Sequence, residues 1–180
     1  MKLKGKNILI GVTGGIAAYK AAEIVSQLHQ KGANIKVIMT KAAAEFVTPL
    51  TFQTLSHNPV YTEMFSGYEI NPKHISLAEE ADLLLIAPAT ANIIGKIAHG
   101  IADDLLSTVV MSVKCPVLIA PAMNDTMYKN PIVQENIKKL QKLGYKFIPP
   151  EKGYLACQKI GEGRLACLET IISAVTKAIS

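Results

Sequence analysis

The residues most able to do chemistry sit where the apolar runs of this sequence end. The run Ile8–Val12 is followed by Gly14 and Gly15 and then by a helical pattern. At such a junction backbone N–H groups and the positive end of a helix dipole form an anion site. Glycines there let a ligand approach the backbone closely, although they also serve tight helix–strand packing. The spacing is not GxGxxG and no Gly-Lys-Ser/Thr follows, so neither the dinucleotide fingerprint nor the P-loop is met. The next run ends in Met39-Thr40-Lys41, where an NAD site would place an acidic residue for the ribose diol. A hydroxyl and an ammonium suit a phosphate better. NADP is compatible with that pattern, and a mononucleotide is the simpler fit. Two more runs end in polar groups, Ala87-Pro88-Ala89-Thr90-Ala91-Asn92 and Ala120-Pro121-Ala122-Met123-Asn124. Packing alone explains such repetition poorly.

Cys157 stands in a glycine-flanked stretch containing Gly153, Gly161 and Gly163. An unperturbed thiol, near ~8.5, is protonated at neutral pH and can act as an acid; cations such as the nearby Lys159 and Arg164 are able to lower that value, which leaves the protonation state of Cys157 open. Cys115, before a core strand, and Cys167, at a helix start, read as packing residues. His74 precedes a helical pattern; imidazole is a side chain suited to proton transfer, but alone this residue reads as a surface or capping residue. Asn124 is equally a helix N-cap candidate. His29, His57 and His99 have no supporting context, and no cluster has metal-ligand spacing.

Alternating elements must position these residues. Asn7–Val12 reads as a buried strand, Ile16–Gln30 as a helix ended by Gly32, and Asn34–Met39 as a second strand, which together make a βαβ unit with a parallel, right-handed crossover. Helices are predicted at His74–Glu80, Ala91–His99, Asp103–Ser112, Pro131–Leu143 and Leu168–Ile179, with strands at Asp82–Ala87, Pro116–Ala120 and Lys146–Ile148. The expected fold is a single-domain α/β doubly wound parallel sheet over residues 1–180, a Rossmann-like or flavodoxin-like three-layer sandwich. Ser66–Lys73 reads as a turn-rich loop. Glu151–Ala166 has no clear periodicity, and a glycine-rich stretch beside a compact sheet is more often a functional lid than a spacer.

Composition sets the outer bounds. The chain has 180 residues, 49% hydrophobic and 18% charged, which fits one well-filled core. The net charge of +5 comes from scattered lysines not interleaved with aromatics, so nucleic-acid binding is not expected. No apolar run is long enough to span a bilayer, and the basic start followed by Ile8–Val12 suits a first strand better than a signal peptide. Three cysteines without CxxC spacing point to a reducing cytosol.

Several segments together carry a resemblance. Gly11-Val-Thr-Gly-Gly-Ile-Ala-Ala-Tyr-Lys20, His74-Ile75, Ala87-Pro-Ala-Thr-Ala-Asn92, Pro121-Ala-Met-Asn-Asp-Thr-Met127 and Leu155-Ala-Cys…Gly161-Glu-Gly-Arg-Leu-Ala166 occur in this order. From about Lys6 onward the sequence resembles the homo-oligomeric flavin-containing cysteine decarboxylases, in particular those acting on 4'-phosphopantothenoylcysteine in coenzyme A biosynthesis. The resemblance implies FMN held by Gly14, Gly15, Ile16, Thr40, Ala42, Thr90, Ala91, Asn92 and Ala122. It implies substrate contacts from Asn124, Met123, Tyr154 and Ala156, a catalytic pair His74 and Cys157, and a flap at about 151–166. It also implies a trimer or dodecamer, and a separate phosphopantothenate–cysteine ligase as the working partner. Gln158 and Leu165 depart from the family, which often has Gly and Met there; Leu for Met conserves volume.

The implied chemistry needs a cofactor, because losing CO2 from an N-acylated cysteine leaves a carbanion with no sink. Oxidation of the substrate CH2–SH to a thioaldehyde, with FMN as electron acceptor, places C=S β to the carboxylate. Loss of CO2 then gives an enethiolate, which is reduced to the thiol with no net redox change. In that scheme His74 serves the thiol, Asn124 orients the carboxylate without overstabilising it, and Cys157 protonates the enethiolate. Other readings of similar residues are a peptidyl-cysteine decarboxylase, a flavin prenyltransferase, which would not need the His74, Asn124 and Cys157 set, and a non-catalytic relative that regulates a phosphatase.

Overall fold

The computed structural model describes residues 3–65, 73–156 and 158–179. In chain order the elements are β1 (Asn7–Val12), α1 (Ala18–Gln30), β2 (Asn34–Met39), α2 (Lys41–Ala44), α3 (Pro49–Ser56), β3 (Val60–Tyr61), α4 (Lys73–Glu80), β4 (Leu83–Ala89), α5 (Ala91–His99) and α6 (Leu105–Ser112). They continue with β5 (Val117–Pro121), α7 (Asp125–Lys129), α8 (Pro131–Lys142), β6 (Lys146–Phe147), β7 (Glu151–Tyr154), β8 (Ile160–Arg164) and α9 (Leu168–Ile179). Six strands form one parallel sheet in the order β3-β2-β1-β4-β5-β6, and β7 and β8 form a separate antiparallel hairpin. This is the expected doubly wound α/β sandwich. The strand order reverses between β1 and β4, which opens a crevice at the carboxyl ends of those strands.

The central strands are apolar throughout because both faces are covered. Ile8, Ile10 and Val12 of β1 join one core with Ala21, Ile24, Val25 and Leu28 of α1, Phe52 of α3, and Ile171, Ile172 and Val175 of α9. Leu9 points the other way, into a core with Leu77 of α4, Ile93, Ile94 and Ile97 of α5, Leu105, Leu106 and Val109 of α6, and Ile137 and Leu140 of α8. This alternation is the two-residue period of a strand read across two faces. Gly11 lies on the second face, where a Cβ would approach Leu106 Cδ1 to 2.5 Å, so α6 packs onto β1 where a side chain is missing.

The predicted elements are present, with ends shifted by one or two residues. α1 starts at Ala18 and not Ile16, and β4 runs on to Ala89. Four short elements lay outside the sequence reading: α2, α3, β3 and α7. Of these, α3 carries a legible signal, since Thr48-Pro49 places proline in the first turn. The larger difference is in residues 151–166, which fold as the β7–β8 hairpin and are not structureless. Their inward positions include Gly161 and Gly163, so the strand alternation is there without the apolar side chains that would reveal it. The expected loop at Ser66–Lys73 lies outside the described residues except for Lys73, which opens α4. Among the described residues no helix is long and apolar enough to cross a membrane.

Helix α6 is fixed by a capping box, with Asp104 accepting from the Ser107 N–H at 2.8 Å and the Asp104 N–H donating to the Ser107 hydroxyl. Lys96 Nζ of α5 bonds both Asp103 (2.6 Å) and Asp104 (2.7 Å). Burial by itself would raise the Asp104 carboxyl, but Lys96 and the Ser107 donors outweigh it and hold it below the ordinary range. A depressed carboxylate contributes stability above its unfolded pKa of ~3.9 and loses it as pH falls through the folded value. Asp104→Ala is expected to lower stability by about 1–2 kcal/mol at neutral pH. In urea titrations the gap to wild type should narrow at a pH below that of the folded Asp104; a gap that is constant with pH would exclude this linkage.

Candidate active site

The crevice between β1 and β4 is closed at its floor by one hydroxyl. Thr13, 2% exposed, donates from Oγ1 to the Pro88 carbonyl at 2.7 Å and accepts from the Thr90 N–H at 3.1 Å. That pair of bonds sets the loop after β1 against the loop after β4. A Cβ on Gly15 would lie 3.7 Å from Thr90 Cγ2, and one on Gly14 would lie 2.4 Å from Ala42 Cβ. Gly14, Gly15, Ala42 and Thr90 therefore meet in one place. Gly14 is glycine because α2 leaves no room for a side chain.

Helix starts line this place unequally. Thr40 caps α2 by accepting from the Ala43 N–H at 3.2 Å, and Thr90 caps α5 by accepting from the Ile93 N–H at 3.4 Å. Asn124 caps α7 through Oδ1, which accepts from the Thr126 N–H at 2.9 Å. At α1 no side chain caps the N-terminus. The Ala18 and Lys20 N–H groups are bonded to the Gly15 and Ala17 carbonyls at 2.9 and 3.0 Å, so what the helix opening into the glycine loop offers a ligand is chiefly the positive end of its dipole, unblocked by a capping side chain. An uncapped helix start beside a glycine that cannot carry a Cβ fits an anionic mononucleotide such as FMN. Ile16 (58% exposed) and Tyr19 (59%) present apolar surface at the same end.

The β7–β8 hairpin docks on the opposite rim. Met123 N–H donates to the Gly163 carbonyl at 2.9 Å, so β8 is held against the segment that carries Asn124. Gly163 has φ 146°, and a Cβ there would sit 2.2 Å from the Met123 carbonyl oxygen. At Gly161 a Cβ would approach Asp125 Cβ to 2.8 Å. Both glycines are requirements of contact. The hairpin ends in a turn closed by Leu155 N–H to Lys159 O (2.8 Å) and Gln158 N–H to Leu155 O (2.9 Å). Gln158 takes the left-handed φ of 62°, which is the position where the resembling family often has glycine. Tyr154 and Ala156 are exposed on this hairpin.

Charge gathers at the hairpin base. The Cys167 N–H donates to Glu151 Oε1 at 2.7 Å, and this bond, with Cys167's side chain and the charges of Arg164 and Lys20, holds the Glu151 carboxyl below its usual range. Burial and the neighbouring Arg164 guanidinium lower Lys20, against the opposing pull of Glu151 and Glu23.

The structure thus assembles Gly14, Gly15, Ala42 and Thr90, with Ile16, Thr40, Ala91 and Asn92 on the same loops. Ala122 joins through its N–H, which donates to Ala89 O at 3.0 Å. Met123 and Asn124 stand beside the hairpin. His74 is half-buried in the first turn of α4, and among the described residues no hydrogen bond joins it to Asn124 or to the strand-end loops. Cys157 lies outside the described residues. Sequence reasoning gave no role to Thr13 or Asp125. A polar residue directly after a buried strand was the available signal for Thr13.

Known proteins share this architecture. The flavoprotein family pattern matches residues 1–180. The coenzyme A biosynthesis bifunctional protein CoaBC of Bacillus subtilis is 53% identical over 97% of this chain, which spans 43% of that protein. The probable phosphopantothenoylcysteine decarboxylase of Streptococcus mutans is 47% identical over 97% of this chain and 99% of its own length. The FMN-dependent cysteine decarboxylase SpaF superposes with a TM-score of 0.86 at 31% identity, covering 97% of this chain and 95% of SpaF. A cysteine-to-serine variant of PPC decarboxylase complexed with pantothenoylaminoethenethiol superposes with a TM-score of 0.87 at 31% identity, covering 94% and 96% of the two chains. The chain belongs to the flavoprotein family and is homologous to the FMN-dependent cysteine decarboxylases within it. It spans less than half the length of the bifunctional relatives it matches.

The hairpin contact can be tested directly. Gly163→Ala is expected to destabilise the protein by about 2–4 kcal/mol, because backbone must move on both sides of the contact. Gly144→Ala, at φ 95° with nothing within 4 Å of the added Cβ, should lose only about 1–2 kcal/mol. Equal losses in chemical denaturation would show that hairpin docking is not what demands Gly163.

Proposed function

We propose that this chain decarboxylates 4'-phosphopantothenoylcysteine to 4'-phosphopantetheine with FMN as cofactor. The observation that carries the reading is the meeting of Gly14, Gly15, Ala42 and Thr90 at an uncapped helix start, with Asn124 held beside a docked hairpin. Relatives at 47–53% identity are described as coenzyme A biosynthesis proteins or as a phosphopantothenoylcysteine decarboxylase, whereas the peptidyl-cysteine decarboxylase EpiD shares 25%. That difference favours the small phosphorylated substrate over a peptide.

When bound, FMN supplies the two-electron sink and source that the side chains lack. The glycine loop at Gly14–Ile16 with the dipole of α1, and the loops at Thr40–Ala42 and Thr90–Asn92, would hold it. Asn124 orients the substrate carboxylate through its amide nitrogen, a neutral donor, while its Oδ1 accepts from the Thr126 N–H. A neutral donor leaves the carboxylate able to depart as CO2. His74 handles the proton of the substrate thiol, and Cys157 gives a proton to the enethiolate. The enethiol named in the complex of the solved cysteine-to-serine variant supports an intermediate of this kind. Tyr154, Ala156 and Met123 cover the substrate as the hairpin closes water out. The placement of His74, half-buried with no described hydrogen bond to Asn124, is compatible with a site completed by a second copy. The reading includes a homotrimer or dodecamer, in the cytoplasm, supplied by a phosphopantothenate–cysteine ligase.

Purified protein is expected to be yellow, to release CO2 from 4'-phosphopantothenoylcysteine and to leave a peptide ending in cysteine largely unchanged. Cys157→Ser should still release CO2 while the saturated product falls by about 100-fold or more, the scale of a lost general acid. Full-rate formation of phosphopantetheine by that variant would remove Cys157 from the role. Preference for the peptide would overturn the substrate assignment.

A further inference from the structure

Two histidines that the catalytic reading leaves unused meet at the other end of α1. His29 lies in the last turn of α1, and His57 is the residue that ends α3. Their ring centres are 5.2 Å apart, with the planes tilted by 50°. The pair lies roughly 20 Å along α1 from the glycine loop, at ~1.5 Å per helical residue, so it is separate from the candidate active site.

Three independent features make this more than a chance contact. His29 Nδ1 is buried and has no hydrogen-bond partner among the described residues, whereas buried polar atoms in native proteins are nearly always paired. His57 adopts φ 55°, a left-handed conformation that glycine or asparagine takes more readily. Histidine is among the non-glycine residues that accept this conformation, which keeps the ring in one place at the helix end. It is held firmly: its N–H bonds Gln53 O at 3.0 Å, and Asn58 Nδ2 next to it donates to Ser56 O, Ile35 O and Asn34 Oδ1. Finally, two helix C-termini converge, and their partial negative charge favours a cation between them.

We propose that His29 and His57 form a binding site for one first-row divalent metal ion such as Zn2+, Ni2+ or Cu2+, which braces α1 against α3. Imidazole is a suitable ligand for these ions. With metal–nitrogen bonds of ~2.0–2.1 Å and a tetrahedral angle, two coordinating rings have centres roughly 5 Å apart, close to the observed spacing. An ion seated there supplies the partner that Nδ1 lacks. Among the described residues no group of three or more His, Cys, Asp or Glu surrounds a common point, so two imidazoles are the protein's share and water completes the shell.

The test is calorimetric titration of the FMN-loaded protein with nickel chloride, for wild type, His29→Gln and His57→Asn; asparagine tolerates the left-handed φ. Each variant is expected to lose one equivalent of Ni2+ relative to wild type while keeping its flavin absorbance. Saturating Ni2+ should raise the melting temperature of wild type and of neither variant. Identical titrations for all three proteins, loss in one variant alone, or no saturable binding by wild type would each overturn the proposal. Should a variant fail to fold, the ring C–H resonances of wild type decide. Joint broadening of His29 and His57 by substoichiometric Ni2+ supports the site, and broadening elsewhere alone refutes it.

Discussion

The hydroxyl of Thr13 is the constraint on which the rest of this structure turns. It is almost fully buried and bonds both the Pro88 carbonyl and the Thr90 N–H, groups more than seventy residues away in sequence. Burying a hydroxyl is unfavourable unless both its donor and acceptor capacities are used, and here they are. The bonds close the crevice at the switch point of the sheet and set Gly15 against Thr90 within van der Waals reach. Strand pairing sets β1 against β4 as far as Gly11 and Ile86, and the Thr13 bonds extend that register into the loops beyond.

From that fixed point the site is built by close approach. Gly14 yields to Ala42, Gly11 to Leu106, Gly161 to Asp125 and Gly163 to the Met123 carbonyl. Each glycine lets one layer come nearer to another than a side chain would allow. The first two tighten the sheet against its helices below the nucleotide loops. The last two seat the hairpin against the segment bearing Asn124. The division follows from this: a rigid sheet edge carries the glycine loop, and a docked but exposed hairpin stands against the segment bearing Asn124. Exposed Tyr154 (65%) and Ile160 (73%) on that hairpin are consistent with surface that meets a ligand or a second copy.

The alternation of strands and helices was legible because buried parallel strands are continuous apolar runs and the long helices keep an amphipathic period. Asn7–Val12, Asn34–Met39, Ala91–His99 and Leu168–Ile179 fall where the pattern put them. The hairpin was not legible as strands, since glycine replaces the apolar residues that would mark its inner face. Short α2, α7 and β3 were missed for a related reason, as too few residues carry a period. Asn124 had been read both as an N-cap and as a ligand to the substrate. The cap is present through Oδ1.

The sequence by itself determined the fold class, the glycine loop after the first strand and the polar groups at successive strand ends, because these depend on local pattern and on the ends of single elements. Only the tertiary structure decided that Thr13 joins two loops, that Gly163 abuts the Met123 carbonyl and that His29 meets His57. Those facts depend on distances between residues remote in the chain, and no local period encodes a distance. The resemblance to flavin-containing cysteine decarboxylases bridged part of that gap by naming His74, Asn124 and Cys157 together. The packing of β8 on the Asn124 segment supplies the physical reason that one part of that set, the hairpin and the Asn124 amide, lies side by side.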